Sequence, residues 1–405
     1  MAIIKKAAKI LEQHVCDHCL GRQFAQLMHG YSNDERGQMI RTVVAMGMDK
    51  ETKEVPIFDM SNFYALKFHN LEARPQKKKK CTICGDFFDS LDTWVDKIIK
   101  ISKDYKFKTL LVGTKLSHEL IMKEEELWER VGIDYCEPLK AEINRELGKL
   151  LEKRIKARCN LKSPDITFIL DIGNNKVAVD INSLFIYGEY QKLKAGIPQT
   201  RWPSGKYKTS VEQIIAKPFM AATGGKGHKL HGLGREDIDA RCLGWRPFVL
   251  ELLAPKKRKI KLSMLGKKIG KAVRVRGLRL SDIAEVRKIK ETRLDKTYRA
   301  IIACEKPIKK AELKKLDILG AIEQKTPKRV LHRRSDKLRR RAVRSIRTKF
   351  ISNKKFELTV KGEAGLYIKE LISGDEGRTV PSVSSLLGVP CVCKKLDVME
   401  FYLNG

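Results

Sequence analysis

Two Cys-x-x-Cys knuckles, Cys16-Asp-His-Cys19 and Cys81-Thr-Ile-Cys84, constrain the fold of this chain more than any other feature of its sequence. A knuckle turns two thiolates toward one point, and two knuckles complete a tetrahedral S4 site of the kind zinc occupies. The 61 residues between Cys19 and Cys81 exceed ordinary finger spacing, so a tertiary contact must bring the pairs together. The expectation is a structural zinc on Cys16, Cys19, Cys81 and Cys84, because four thiolates leave no open coordination position. Removing it should cost folding free energy directly. Two independent pairs of buried thiols are the bland alternative. His18 is expected to stay outside the ligand set. The chain has ten cysteines but no export signal, which favours metal binding and burial over disulfides. Cys391 and Cys393, two apart, read as core residues on one face of a strand.

Charge supplies the next constraint. Lys and Arg number 83 and Asp and Glu 49, a formal net charge of +34. So basic a chain must hold a polyanion, and a phosphate backbone is the commonest one. An acidic membrane surface fits less well, because the cations are spread over several segments and no apolar run approaches the ~20 residues of a membrane span. A cytoplasmic protein is expected. Ala321–Phe350 is the densest segment, twelve Lys or Arg against Glu323 and Asp336. A solvated helix is the bland reading there, but a block of one sign repels itself without a counter-charge. Lys192–Thr209 combines five cations with Trp202, Tyr207, two glycines and two prolines. It reads as a linker or as a loop that touches nucleic acid.

Apolar periodicity sets a coarse order of elements. Ile3, Ile4, Ala7, Ile10, Leu11 and Val15 mark an amphipathic helix, and Phe87 to Ile99 a second, opening just after Cys84. A strand at Thr109–Val112 and helices near Glu119–Arg130 and Ala141–Ala157 follow. Ile166–Asp171 and Val177–Ile186 flank Gly173-Asn174-Asn175-Lys176, a hairpin signal. Beyond the basic loop come a helix at Val211–Ile215, a Gly-rich stretch from Thr223 to Gly234, and strands at Pro247–Leu253, Val273–Leu280, Thr297–Cys304, Phe356–Lys361 and Val398–Leu403. The fold class is α+β, with an accessory domain over residues 1–190 and a second domain over 191–405. His228 and His231 read as polar groups of the Gly-rich loop.

The most informative string is His231-Gly-Leu-Gly-Arg-Glu-Asp237-Ile-Asp-Ala-Arg241. Glu236, Asp237 and Asp239 in a Gly-rich turn of so basic a chain admit three readings: a metal site for phosphoryl transfer, a single carboxylate acting on a nucleotide, or a loop capped by Arg–Asp pairs. Thr223-Gly-Gly-Lys-Gly-His-Lys lacks the order of a P-loop, and no Gly-x-Gly-x-x-Gly opens a helix after a strand. No organic cofactor is therefore expected.

Gly234-Arg235-Glu236-Asp237 resembles the Gly-Arg-x-Asp turn of pseudouridine synthases. Together with Cys16-Asp-His-Cys-Leu-Gly-Arg-Gln-Phe-Ala25, Gly196-Ile-Pro-Gln-Thr-Arg-Trp202, Lys296-Thr-Tyr-Arg-Ala300 and Gly365-Leu-Tyr-Ile-Lys-Glu-Leu371, it makes the chain resemble the stand-alone tRNA pseudouridine synthases of the archaeal and eukaryotic type. The resemblance implies a zinc-bearing accessory domain with a THUMP-like module, followed by a synthase domain with a mixed or antiparallel central sheet. It implies a tRNA substrate, no protein partner, and isomerisation of T-loop uridines (uridine-55 and its neighbour uridine-54). Asp237 then matches the catalytic aspartate and Tyr298 the tyrosine that stacks on the target base. Tyr367, Ile368 and Lys369 match the third motif, where an apolar residue packs in the pocket and a basic one pairs with the aspartate. Leu396 is a candidate pocket wall, and Arg235 a residue that helps evert the uridine. Another THUMP-type tRNA-modifying enzyme, or a non-catalytic zinc-containing RNA-binding protein, are the alternatives.

Overall fold

The computed structural model describes residues 2–50, 57–71 and 76–402. The chain divides into two compact units, Met1–Asn182 and Ser183–Gly405. The division falls eight residues before the boundary read at 190, because the run Val177–Ile186 is not one strand. It breaks at Asn182, whose amide donates to the Asp165 carbonyl at 3.2 Å, and Leu184–Lys192 is a strand of the second unit's sheet.

In the first unit α1 (Ala2–Ile10), α2 (Asp17–Gly21), α3 (Asn33–Lys50) and α4 (Leu91–Ser102) precede a small sheet. Its elements in chain order are β1 (Thr109–Lys115), α5 (His118–Val131), α6 (Leu139–Ile155), β2 (Arg158–Cys159), β3 (Ile166–Asp171) and β4 (Lys176–Ile181). The sheet order is β2-β1-β3-β4, parallel except for the β3–β4 hairpin. Leu110, Val112, Phe168 and Leu170 alternate inward from β1 and β3 to meet Ile143, Leu147 and Leu151 of α6 in one core. The helix expected after Cys84 begins as a 3-10 turn, Phe87–Ser90, and continues as α4 with Trp94, Val95 and Ile98 buried.

The second unit is built on a ten-stranded sheet. Its elements are β5 (Leu184–Lys192), α7 (Val211–Thr223), β6 (Gly227–Gly232), β7 (Arg241–Leu253), α8 (Leu262–Gly266), β8 (Val273–Ser281), α9 (Ile283–Glu291), β9 (Asp295–Cys304), β10 (Ala321–Lys325), β11 (Leu338–Ser352), β12 (Lys355–Gly362), α10 (Ile368–Ser373), β13 (Thr379–Val380), α11 (Val383–Leu387) and β14 (Cys391–Tyr402). The order is β13-β10-β11-β12-β9-β14-β7-β5-β8, with β6 on the far half of β7. Among the described residues of this sheet only the short β14–β7 pairing is parallel. β14 pairs with the start of β7 and β6 with its end, so the turn from Leu233 to Ala240 stands where the two partners part.

Two expectations are corrected here. Gly227–Gly232 is a strand, not loop, so His228 and His231 hang from β6 and bond Glu212 and Glu251 at 3.0 and 2.9 Å. The basic segment is not the helix of the bland reading, because Ala321–Lys325 and Leu338–Ser352 are strands. Cys391 is buried on β14, while Cys393 is partly exposed.

Candidate active site

In the first unit the knuckles converge. The Sγ atoms of Cys16, Cys19, Cys81 and Cys84 all lie within 4.8 Å of one another, and Cys16 and Cys84 are 3.6 Å apart. An ion 2.3 Å from each of four tetrahedral sulfurs would space them by about 3.8 Å, so the cluster has the size of a metal site. Cys16 also caps α2, its sulfur accepting from the Cys19 amide at 3.5 Å. The second knuckle is fixed by the amide and hydroxyl of Thr82, both donating to the His14 carbonyl at 2.9 Å, which is the tertiary contact the long spacing requires. Mutual hydrogen bonding drives the Cys81 thiol far down while burial and its sulfur neighbours push Cys19 up. A cation at the centre would let all four ionise. His18 stays out of the cluster, stacked on Phe88 at 4.0 Å and bonded to Glu142 at 2.9 Å.

In the second unit a cavity of about 630 Å³ opens on the face of β9 and β14. Lys296 and Tyr298 of β9, with Leu396 and Val398 of β14, form its floor. The turn Gly234–Ala240 forms one wall, and Arg329, Val330, Arg334 and the residues Gly365–Lys369 leading into α10 form another. Gly196, Trp202 and Tyr207 of the basic loop reach the same space. All seven substrate-site residues named from the sequence, Arg235, Asp237, Tyr298, Tyr367, Ile368, Lys369 and Leu396, line this one cavity.

The three acids of the turn diverge. Glu236 points into the protein with its side chain fully buried. It accepts from the Tyr190 hydroxyl at 3.0 Å and lies 3.0 Å from Nε of Arg246 and 3.7 Å from Nζ of Lys192. Asp239 points outward to Lys369 at 2.7 Å. Between them Asp237 faces the cavity, its side chain 30% exposed. A three-carboxylate metal site is thereby excluded, since the groups point in different directions.

The turn is held from beneath. The buried Lys192 ammonium donates to the carbonyls of Ile197, Asp237 and Ile238 at 3.0–3.2 Å, and Gln199 donates to the carbonyl of Gly234 at 3.0 Å. Gly234 sits at φ +68°, and a Cβ there would lie 3.4 Å from Nη1 of Arg246. The left-handed backbone favours glycine here, and a Cβ would only come into ordinary contact with the arginine.

Two cations meet the Asp237 carboxylate. Arg329 donates to Oδ1 at 3.1 Å, and Nζ of Lys369 lies 3.4 Å from Oδ2. Arg329 is itself anchored by Glu370, its Nε donating to Oε1 at 2.6 Å. Dehydration works against the Lys369 charge, but the hydrogen bond to Asp239 and the charge of Asp237 outweigh it and hold its pKa above the ordinary value. Burial pushes the Tyr298 hydroxyl up to about 12, so it stays protonated at any working pH. Tyr367 is pinned through its backbone by Gln324 of β10, which both donates and accepts at 3.0 and 2.8 Å, and its hydroxyl accepts from Arg334 at 2.6 Å. Arg235 is exposed at the rim.

Sequence reasoning did not single out Arg329, Glu370, Lys192 or Arg246. Arg329 was one of twelve cations in its segment, and nothing in its spacing set it apart. Lys192 and Arg246 carried a signal only in hindsight of the strands they occupy, where a charge alternates with apolar residues on the buried face.

Comparison with known proteins gives this geometry its setting. The family model described as "Pus10, C-terminal" matches residues 185–401, and that described as "Pus10 THUMP domain, archaeal" matches residues 94–171. The chain therefore combines a THUMP domain with a catalytic unit of the pseudouridine-synthase class. The tRNA pseudouridine synthase Pus10 of Pyrococcus furiosus is 39% identical over 98% of this chain and 97% of that protein. Its counterpart in Methanocaldococcus jannaschii is 40% identical over 98% of this chain and 94% of that protein. The chain belongs to the Pus10 family. A solved Cbf5-Nop10-Gar1 complex is a remote likeness (TM-score 0.32, 18% identity, covering 52% of this chain and 47% of that one) and adds nothing to the assignment.

Proposed function

We propose that this protein is a tRNA pseudouridine synthase, an isomerase that acts on T-loop uridines, uridine-55 and its neighbour uridine-54, through Asp237. The observation that carries the reading is the Asp237 carboxylate, set between two cations and sharing a cavity with Tyr298, in a chain that aligns over nearly its whole length with named tRNA pseudouridine synthases.

The chemistry asks for few parts. The N1–C1′ glycosidic bond breaks, the uracil turns, C5 joins C1′, and the proton on C5 leaves as N1 gains one. Nothing is oxidised and no energy source is consumed, in keeping with the lack of nucleotide-cofactor motifs. The Asp237 carboxylate acts on the nucleoside, as a nucleophile toward sugar or ring or as the base that takes a C2′ proton. Arg329 and Lys369 lie against this carboxylate and hold it in place on the cavity wall. Tyr298 offers a ring face to the everted base, with Leu396, Val398 and Ile368 as apolar surroundings. Eversion costs a few kcal/mol of stacking, which these contacts and phosphate-binding cations offset.

We infer further that Cys16, Cys19, Cys81 and Cys84 hold zinc. Four clustered thiolates select a d10 ion such as zinc, and a closed S4 shell makes its role structural. The partner is tRNA, which suits a net charge of +34. A cytoplasmic setting agrees with the six cysteines outside the quartet being unpaired among the described residues. Among the described residues no helix is long and apolar enough to cross a membrane.

Tritium release from C5 tests the activity. With tRNA transcript labelled at uridine C5, the wild type should release label, and Asp237→Ala should release none while still binding the transcript. Release by Asp237→Ala at the wild-type rate would remove Asp237 from the chemistry.

A further inference from the structure

The cations that line the cavity are already engaged, with two exceptions. Arg246 lies against Glu236 and donates to the Leu233 carbonyl, Lys369 is held by Asp237 and Asp239, Arg329 by Asp237 and Glu370, and Arg334 by the Tyr367 hydroxyl. Arg235 has no partner among the described residues but is exposed at the rim, where water solvates it. Lys296 is different. It is half-buried on the cavity floor, and among the described residues its ammonium makes no hydrogen bond and no ion pair. Dehydration, and after it repulsion from Arg246, bring its pKa down to about 8, so it remains mostly cationic at neutral pH. A dehydrated cation without an anion is costly, and the usual reason to keep one is a ligand that supplies the anion.

Position indicates which anion. Lys296 and Tyr298 are two apart on β9 and both line the cavity, which puts them about 7 Å apart along the strand. That is beyond the edge of a pyrimidine stacked on the Tyr298 ring, and within reach of the phosphate of the same nucleotide. Nζ lies 3.7 Å from where a Cβ on Gly234 would stand, so the ammonium sits at the head of the turn that carries Asp237. A phosphate beside it would lie between β9 and that turn.

We propose that Lys296 binds a backbone phosphate flanking the everted uridine, and so fixes the nucleotide's ribose against Asp237. The proposal rests on the reading of this cavity as the site of the everted uridine. Lysine suits the task as a compact point charge at the end of a flexible stem.

The test uses the full-length protein with unmodified tRNA transcript and with T-arm RNA carrying a single neutral methylphosphonate at either phosphate flanking the target uridine. Lys296→Met should weaken transcript binding about 10-fold or more, as expected for loss of a charged hydrogen bond. It should also reduce the slope of log K against log salt by about 0.7–0.9, the value of one phosphate contact. The methylphosphonate at the contacted position should weaken binding to the wild type by a similar factor and cost Lys296→Met nothing further. Should Lys296→Met fail to fold, Lys296→Gln serves with the same expectations. A wild-type salt slope in the variant, or methylphosphonates at both positions that cost the variant as much as the wild type, would overturn the proposal. Loss of turnover with an unchanged slope would overturn it too, since the lysine would then act on the base. Asp237→Asn run alongside keeps the two readings separate. If that variant still forms product, the active-site reading fails, while the slope and methylphosphonate results continue to report on Lys296.

Discussion

Glu236→Gln should unfold the second unit more readily than any other single change in the turn. Glutamine keeps the shape of the side chain and still accepts from Tyr190, so the perturbation is the loss of one negative charge. That charge is the only anion within 4 Å of two buried cations among the described residues, Arg246 at 3.0 Å and Lys192 at 3.7 Å, with side chains 1% and 0% exposed. Removing one member of a buried ion cluster strands the rest and costs about 3–5 kcal/mol. For a unit of this size that lowers Tm by roughly 10 °C. Native-state hydrogen exchange on the amides of β5 and β7 reads the change within this unit. The penalty should also depend on pH in a defined direction. Burial lowers the pKa of Lys192 in the native state, so the unfolded chain holds this proton to higher pH. Stability from this group therefore rises as pH climbs toward the ordinary lysine value, and the rise should begin at lower pH once the attraction of Glu236 is gone. A variant within about 1 kcal/mol of wild type would refute this account of the turn.

Three further outcomes are expected. Chelation, or Cys81→Ser, should unfold the unit Met1–Asn182 as zinc leaves, followed by metal analysis and circular dichroism; unchanged folding of zinc-free protein would contradict a structural site. Tyr298→Phe should retain substrate affinity while Tyr298→Leu loses about 1–3 kcal/mol of binding to the everted base, measured by quenching on transcript titration; equal losses would show that the ring face is not what the base meets. Neutralising Arg344, Arg347 and Lys349, exposed on β11, should weaken tRNA binding and flatten its salt dependence by about two units or more; an unchanged slope would make that strand face purely structural.

Chemistry in this chain is written locally, and local patterns are what a sequence exposes. The Cys quartet, the Gly234–Asp237 turn and the Tyr298 and Tyr367–Lys369 strings are each short; the quartet converges as its spacing suggests, and the strings that carry the resemblance line one cavity. The anchors beneath them are tertiary. Glu236 meets Lys192 from β5 and Arg246 from β7, a contact that no local spacing encodes. Strand β11 was hidden for a different reason. An extra residue between Val343 and Ser345 shifts the alternation, so Val343, Ile346 and Phe350 face one core at spacings of three and four. Those are the intervals of a helix, and a β-bulge produced them. The split of Val177–Ile186 has a third cause. Continuous β-propensity says nothing of which sheet a residue joins, and the chain changes sheets at Asn182.

Mapping pseudouridine at single-nucleotide resolution in unmodified tRNA, after incubation with wild type and with Asp237→Asn, tests the central claim most directly. The account predicts pseudouridine confined to uridine-55 and uridine-54 of the T-loop with wild type, and none with the variant. Pseudouridine elsewhere only, or an equal yield from Asp237→Asn, would contradict it.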